Sequence, residues 1–382
     1  MPRSPDVIVV GTGVFGAWTA YHLCRTGRSV TLVDAYGPGN PRGSSGGKSR
    51  IIRIGYGNNE IYSHSAVESL KQWQTLPNET PNPLFVKTGV LLFGRDNDPL
   101  IDATTLTLKR LGVNSEFLTR QDLTTRFPQF RLGSVTRAVF EPESGVILAR
   151  RAVNTVVHEA MRCGVEYRLA TVRAPHNRKP LVAVTTTSGE LLPAETFVFA
   201  CGPWLSKLFP NLIGPLIHTT RQEVFFFGYA PGDRRFVVPT MPAWVDFRDG
   251  VYGLPDIEGR GIKIGLDQHG PPFDPDSGQR LPSPVALLTA RQATSARIPL
   301  LTNAELLDAR VCQYSNTWSG DFLIDRHPDF ENLWLVGGGS GHGFKHGPSV
   351  GAYVVAMLDE TRLAEPRFTL ASKRTEPARE VY

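Results

Sequence analysis

The chain has 382 residues, 41% apolar and 20% charged, the balance of an ordinary globular protein with length for about two domains. No stretch approaches the ~18 consecutive apolar residues of a transmembrane helix. The cations behind the net charge of +5 are scattered, so they form no basic stripe of the kind that binds nucleic acid.

In chain order, Asp6–Val10 is a short apolar run suited to a buried strand. Gly11-Thr-Gly-Val-Phe-Gly16 follows, then a helix is predicted over Ala17–Arg25, closed by Gly27. Ser29–Val33 is a second apolar strand ending in Asp34. Together these start a βαβ unit with a parallel sheet. Helical patterns come near 60–74, 101–111, 150–163 and 283–297, and strand-like runs near 86–93, 181–187, 195–199, 223–228, 234–239, 262–266 and 333–336. Residues 211–275 alternate like an antiparallel sheet. Leu333–Val336 feeds a glycine cluster at 337–343 and a helix from Phe344 to Leu358. A nucleotide domain built from both ends of the chain, with a substrate domain inserted, is the expected organisation.

Gly11, Gly13 and Gly16 fit a dinucleotide fingerprint between strand and helix. The first permits the tight turn, the second lets backbone approach a pyrophosphate, and the third packs helix on strand. The helix N-terminus offers its free N–H groups to phosphate. Asp34 stands where a carboxylate would accept the ribose hydroxyls. The fingerprint alone does not choose between NAD and FAD. The polar, basic segment Arg42-Gly-Ser-Ser-Gly-Gly-Lys-Ser-Arg50 favours wrapping a large cofactor.

That segment, continued to Tyr56, resembles monomeric sarcosine oxidase, the peroxisomal sarcosine/pipecolate oxidases and N-methyltryptophan oxidase, within the D-amino-acid-oxidase-like flavoproteins. Lys87–Gly94, Phe140–Val146, Ala200–Trp204, Gly261–Gly265, Val311–Thr317, Ile324–Pro328 and Gly339–Lys345 match in the same order. The resemblance implies an α/β protein: a Rossmann-type FAD-binding domain (1–85, 145–210 and 320–382) with an inserted substrate domain on a mainly antiparallel sheet (86–144 and 211–319). It implies oxidation of an amine C–N bond, reduction of oxygen to hydrogen peroxide, and a chain compatible with a monomer.

The resemblance also assigns residues. Cys312 is expected to carry the flavin through its sulfur. Lys263 is expected to activate oxygen, a fixed cation favouring charge that develops on it. Arg53 and Lys345 are expected to hold the substrate carboxylate, Arg with a planar fork and Lys as a point charge. Arg50 is placed over the flavin face, and Tyr314 and Tyr252 in the pocket. Cofactor contacts fall on Ser44, Ser45, Lys48, Ser49 and Arg50, on Val172, on Gly202 and Trp204, and on Gly339, Gly341, Gly343, Phe344 and Lys345. The Gly339–Phe344 turn should aim N–H groups at the flavin.

Two departures stand out. Gly46-Gly47 occupies a place where many relatives carry His, and Asp267, with His269 two residues on, replaces a pocket His. A carboxylate there would favour a substrate with an extra cation or hydroxyl. Trp204, Trp244 and Trp318 are candidates to line a roomier pocket. The remaining cysteines, Cys24, Cys163 and Cys201, show no metal-ligand spacing. Reduced thiols, no secretory leader and a cytoplasmic location are expected. The expected partners are a small amine or amino acid and molecular oxygen, with no metal, nucleic acid or membrane. The rival reading is an FAD-dependent amine or 2-hydroxy-acid dehydrogenase with a non-oxygen acceptor.

Overall fold

The computed structural model describes residues 4–76, 83–175, 180–376, 379 and 381. Val7–Val10, buried at every position, lies in a six-stranded sheet. Its strand order is Leu323–Arg326, Leu333–Gly337, Thr196–Phe199, Val7–Val10, Val30–Asp34 and Glu166–Leu169. Every pair is parallel except the edge pair of Leu323–Arg326 with Leu333–Gly337. A parallel sheet covered on both faces needs near-continuous apolar strands, and VIVV, VTLVD and LWLVG supply them. The helices Val14–Arg25, Ala149–Arg162 and Gly347–Leu358 share one core with it.

The second sheet has eight strands, in the order Leu306–Thr317, Ile217–Phe227, Ile262–Leu266, Val251–Leu254, Ala243–Asp246, Val90–Gly94, Arg137–Glu141 and Glu116–Thr119. It is antiparallel apart from the pairing of Ala243–Asp246 with Val90–Gly94. Behind it a second core gathers Phe93, Phe130, Phe225, Phe227 and Trp244. A three-stranded sheet joins Arg50–Ile52 and Phe85–Val86 to Gly145–Ile147. Among the described residues no helix is long and apolar enough to cross a membrane.

Three expectations need correction. Residues 234–239 form no strand: Arg234–Phe236 is a short 3-10 turn, capped by the Asp233 carboxylate, which accepts from Arg235 N–H at 3.0 Å. Pro239 has no N–H to give a ladder. The helix predicted from Phe344 begins as a 3-10 turn, Gly343–His346, and becomes α-helical only at Gly347, where Pro348 fits the first turn. Cys24 and Cys163 are not reduced thiols but a disulfide. Two helices packed side by side bring together residues 139 apart in sequence, which no spacing rule reveals. With it goes the thiol argument for a cytoplasmic location.

Candidate active site

The strand–turn–helix at Gly11–Gly16 builds the first part of the site. Gly11 has φ +109°, and a Cβ there would meet the Ala200 carbonyl oxygen at 2.5 Å. A Cβ on Gly16 would lie 1.9 Å from the Gly11 carbonyl oxygen. Only glycine fits either place. One Asp34 oxygen accepts from Thr12 N–H at 2.7 Å, and the other from Tyr36 and Gly37 N–H. The carboxylate therefore braces the turn while its strand end borders the cleft. Ser45 Oγ accepts from Val14 N–H at 3.0 Å, at the helix start.

A cavity of about 340 Å³ runs along this turn, lined by Gly13, Asp34, Ser44, Ser45, Val172 and Trp204 among others. Gly202 borders it too. A smaller cavity that shares Gly13, Ser44 and Ser45 continues past Gly339, Gly343 and Phe344 to Arg50 and Tyr314. Arg50 and Tyr314 also line two further cavities, one beside Cys312 and Lys263, the other beside Arg53 and Lys345. The result is one groove from the dinucleotide turn to a cluster of buried cations. Thr12 Oγ1 and Ser315 Oγ are buried along it without a hydrogen-bond partner. Orphaned hydroxyls, glycine backbone and a helix N-terminus fit a long, anionic dinucleotide such as FAD.

The cation cluster is built by strands of the second sheet and by the segments that cross to it. Lys263, 3% exposed, is the second residue of Ile262–Leu266, a strand paired on both sides, and donates to the Ser49 carbonyl at 2.8 Å. Burial, with Arg50 as a second cause, holds its pKa well below the usual lysine range. Such an amine gains a proton most readily when negative charge develops beside it. Arg50 donates to the Ser49 and Ser44 carbonyls, and its Nη2 lies 3.7 Å from Cys312 Sγ. Cys312 is half-buried on Leu306–Thr317. Ser44 Oγ donates to the Gln313 carbonyl at 2.8 Å, tying the cofactor loop to the strand that carries Cys312.

Arg53 is 5% exposed, with its guanidinium 4.1 Å from the Tyr56 ring centre and 4.9 Å from that of Phe247. Glu141 sets its position by accepting from Ile54 and Gly55 N–H at 2.7 and 2.8 Å. Lys345 donates to Tyr56 Oη at 2.8 Å and to the His342 carbonyl at 3.0 Å. Its pKa is also held well below the usual range, first by burial and then by Arg53. Trp73 Nε1 donates to the Lys345 carbonyl and pins the turn. Tyr252 and Tyr314 line the same pocket, burial raising the Tyr252 hydroxyl to about 12 and Tyr314 well above its ordinary value.

The structure thus brings Arg50, Arg53, Tyr252, Lys263, Asp267, Tyr314, Phe344 and Lys345 around one cavity. Other expectations change. Asp267 does not wait for a substrate cation: Arg379, near the C-terminus, pairs with it at 3.3 Å. Desolvation still raises the Asp267 pKa, against the pull of Arg379 and Arg53. Lys48 pairs with Asp308 at 3.2 Å. In the glycine turn, Ser340, His342 and Gly343 donate their N–H groups to Ser315 and Gly339 carbonyls, so not every donor there faces the groove. None of the three tryptophans lines the cation pocket. Trp244 is fully buried in the second core, Trp318 stacks on His218, and Trp204 donates to Asp276 at the far end of the groove. Sequence reasoning missed Arg379, Tyr56, Glu141 and His346. Tyr56, Glu141 and His346 lie in or beside the matched segments, but only the fold shows what they touch; nothing local marks Arg379.

Comparison with known proteins agrees with this geometry. Residues 6–357 match the FAD dependent oxidoreductase family. The chain is 32% identical to monomeric sarcosine oxidase of Bacillus sp. (strain B-0618), over 96% of this chain and 95% of that one. It is 30% identical to human peroxisomal sarcosine oxidase, over 91% and 90%. It is 29% identical to N-methyl-L-tryptophan oxidase of Citrobacter koseri, over 91% and 92%. Among solved structures, L-proline dehydrogenase from P. horikoshii superposes with TM-score 0.83 at 20% identity, covering 96% of both chains. Fructosamine oxidase from Aspergillus fumigatus superposes with TM-score 0.78 at 22% identity, covering 97% and 91%. These two likenesses speak for the fold. Glycine turn, groove, sheets and sequence agree: the chain belongs to the FAD dependent oxidoreductase family.

Proposed function

We propose that the protein is an FAD-dependent oxidase of N-alkyl or cyclic secondary amino acids, releasing an imine and hydrogen peroxide. The observation that carries this reading is the pocket itself. Arg53 and Lys345, a buried guanidinium and a buried amine that can both donate to one carboxylate, share a cavity with Lys263. The names of the relatives support the same class. FAD, when bound, supplies the two-electron chemistry, taking electrons from the amine and giving them to oxygen. Arg53 and Lys345 grip the substrate carboxylate and so fix which C–H bond faces the groove. Phe247, Val245 and Tyr252 line the same cavity and exclude water around the amine. Lys263 supplies positive charge where oxygen becomes negative.

Residues 1–85, 145–210 and 320–382 are the FAD-binding part in this reading, and 86–144 and 211–319 the substrate part. Cys312 carries the flavin covalently. The position of its sulfur supports this, 3.7 Å from Arg50 Nη2 and on the cavity that Lys263 also lines. Protein denatured in acid should keep its yellow chromophore, and Cys312→Ser should release it. To test the function, the holoenzyme is mixed without air with sarcosine, L-pipecolate, L-proline, N-methyl-tryptophan and 2-hydroxy acids. Bleaching of the flavin by an amine and its return in air are expected. Bleaching that only an artificial acceptor reverses would instead favour the dehydrogenase reading.

A further inference from the structure

Resting on the proposed function, one chain of hydrogen bonds leads out of the substrate pocket. Lys345 Nζ, at the pocket wall, is 2.8 Å from Tyr56 Oη. Tyr56 Oη is 2.9 Å from His346 Nε2. His346 Nδ1 is 2.9 Å from Ser65 Oγ. Tyr56 and His346 are 2% and 0% exposed, whereas Ser65, on the outer helix Glu60–Thr75, is partly exposed. We propose that Tyr56, His346 and Ser65 form a proton exit that carries the substrate amine proton from Lys345 to the surface.

The direction follows from the hydrogen-bond partners. Tyr56 has a single proton to donate and two histidines within reach, His342 Nδ1 at 3.2 Å and His346 Nε2 at 2.9 Å. His342 Nε2 faces the Gly320 carbonyl at 2.9 Å. That oxygen can only accept, so Nε2 carries the hydrogen and Nδ1 is the bare nitrogen. A proton passed to His342 would stop there, because a backbone carbonyl hands nothing on. His346 instead has a hydroxyl on its far side, and a hydroxyl can both accept and donate. Ser349 holds this end by donating to the Ser65 carbonyl at 2.9 Å and pairing with Ser69 Oγ at 2.8 Å.

An amino acid arrives as an ammonium and must lose one proton before its C–N bond can be oxidised. The substrate N–H bond breaks and leaves its electron pair on the amine. Lys345 takes that proton and gives one to Tyr56 Oη. The Tyr56 proton moves to His346 Nε2, and the His346 Nδ1 proton leaves through Ser65 to water. No electron moves, and charge balances at each hop. Lys345 and His346 are both held toward their neutral forms, chiefly by burial, which keeps them able to accept. The charged and titratable groups around the chain are Arg53 over the Tyr56 ring, Glu141, Asp267 with Arg379, His342, and Tyr62 with Asp321 and Arg367.

The test uses the holoenzyme with His346→Gln, which can keep both hydrogen bonds but cannot relay a proton, and with Tyr56→Phe. Both should retain the flavin spectrum and the affinity for acetate. Their anaerobic flavin reduction near pH 7 should fall at least ~10-fold, a modest loss for proton transfer. It should recover as pH rises toward the amine pKa of the substrate, while wild type changes less. Loss by the same factor at every pH, or no loss, would overturn the relay. Nitrogen-15 NMR of labelled histidine reads the wiring without turnover. His346 should be the Nδ1–H tautomer with Nε2 accepting. An Nε2–H tautomer or a charged ring would overturn the relay whatever the enzyme oxidises, whereas a wild-type flavin that no amine reduces would count against the proposed function alone.

Discussion

The two large sheets work by different physics. The parallel sheet meets the groove with backbone: glycines without side chains, a helix N-terminus and a carboxylate that braces the turn. The antiparallel sheet meets it with side chains, Lys263, Cys312 and Tyr314, each held at a strand position by its ladder. A backbone site tolerates almost any residue that leaves the turn open, but not an added methyl. A side-chain site depends on single functional groups. Substitutions in the first should therefore remove the cofactor, and substitution of Lys263 in the second should leave it bound and stop one step.

The largest effect expected on the backbone side is Gly16→Ala. Its Cβ would fall 1.9 Å from a carbonyl oxygen, so strand and helix must separate. The purified variant should lose nearly all its FAD, read as the ratio of flavin to protein absorbance. A variant with full flavin content would contradict the backbone reading of this turn.

How much of this was legible in the sequence follows from the same difference. A strand, three glycines, a helix and an acid at fixed spacing name their own chemistry, because the geometry is local. The helices near 60–74, 101–111, 150–163 and 283–297 were legible from their periodicity, and Val14–Arg25 starts three residues before the predicted Ala17. The cation pocket was not local. Arg53, Lys263 and Lys345 come from segments some 80 to 290 residues apart, and only the family resemblance linked them. What neither route gave was contact across the fold: Arg379 on Asp267, Glu141 on the Ile54 and Gly55 N–H groups, His346 behind Tyr56, and Cys24 bonded to Cys163.

A second substitution separates stability from chemistry within the antiparallel half. Asp246 is fully buried and bonds Arg95 at 2.5 Å and Arg297 at 2.6 Å, behind the sheet. Asp246→Asn leaves Arg95 and Arg297 with the half-exposed Asp249 carboxylate as their remaining counter-charge and should cost about 3 kcal/mol. Urea unfolding should show that loss, and flavin reduction should be unchanged in the fraction that remains folded.

The parallel half should also respond to acid. His22 stacks on Trp18 and bonds the Pro348 carbonyl, and burial lowers its pKa from 6.5 to about 4. The unfolded chain therefore binds a proton at a higher pH than the folded one. Stability is full above about pH 6.5 and falls as pH drops toward about 4, by up to about 3 kcal/mol. His22→Asn should flatten that part of the pH dependence. An unchanged slope would place its origin elsewhere.

The most direct test of the account is to time the two half-reactions separately in Lys263→Met. Flavin reduction by the best amine should stay within a few-fold of wild type, and reoxidation by oxygen should slow by roughly 10²–10³, the scale on which a positioned charge acts. Equal slowing of both half-reactions, or fast reoxidation without the lysine, would contradict the assignment of oxygen chemistry to the antiparallel sheet.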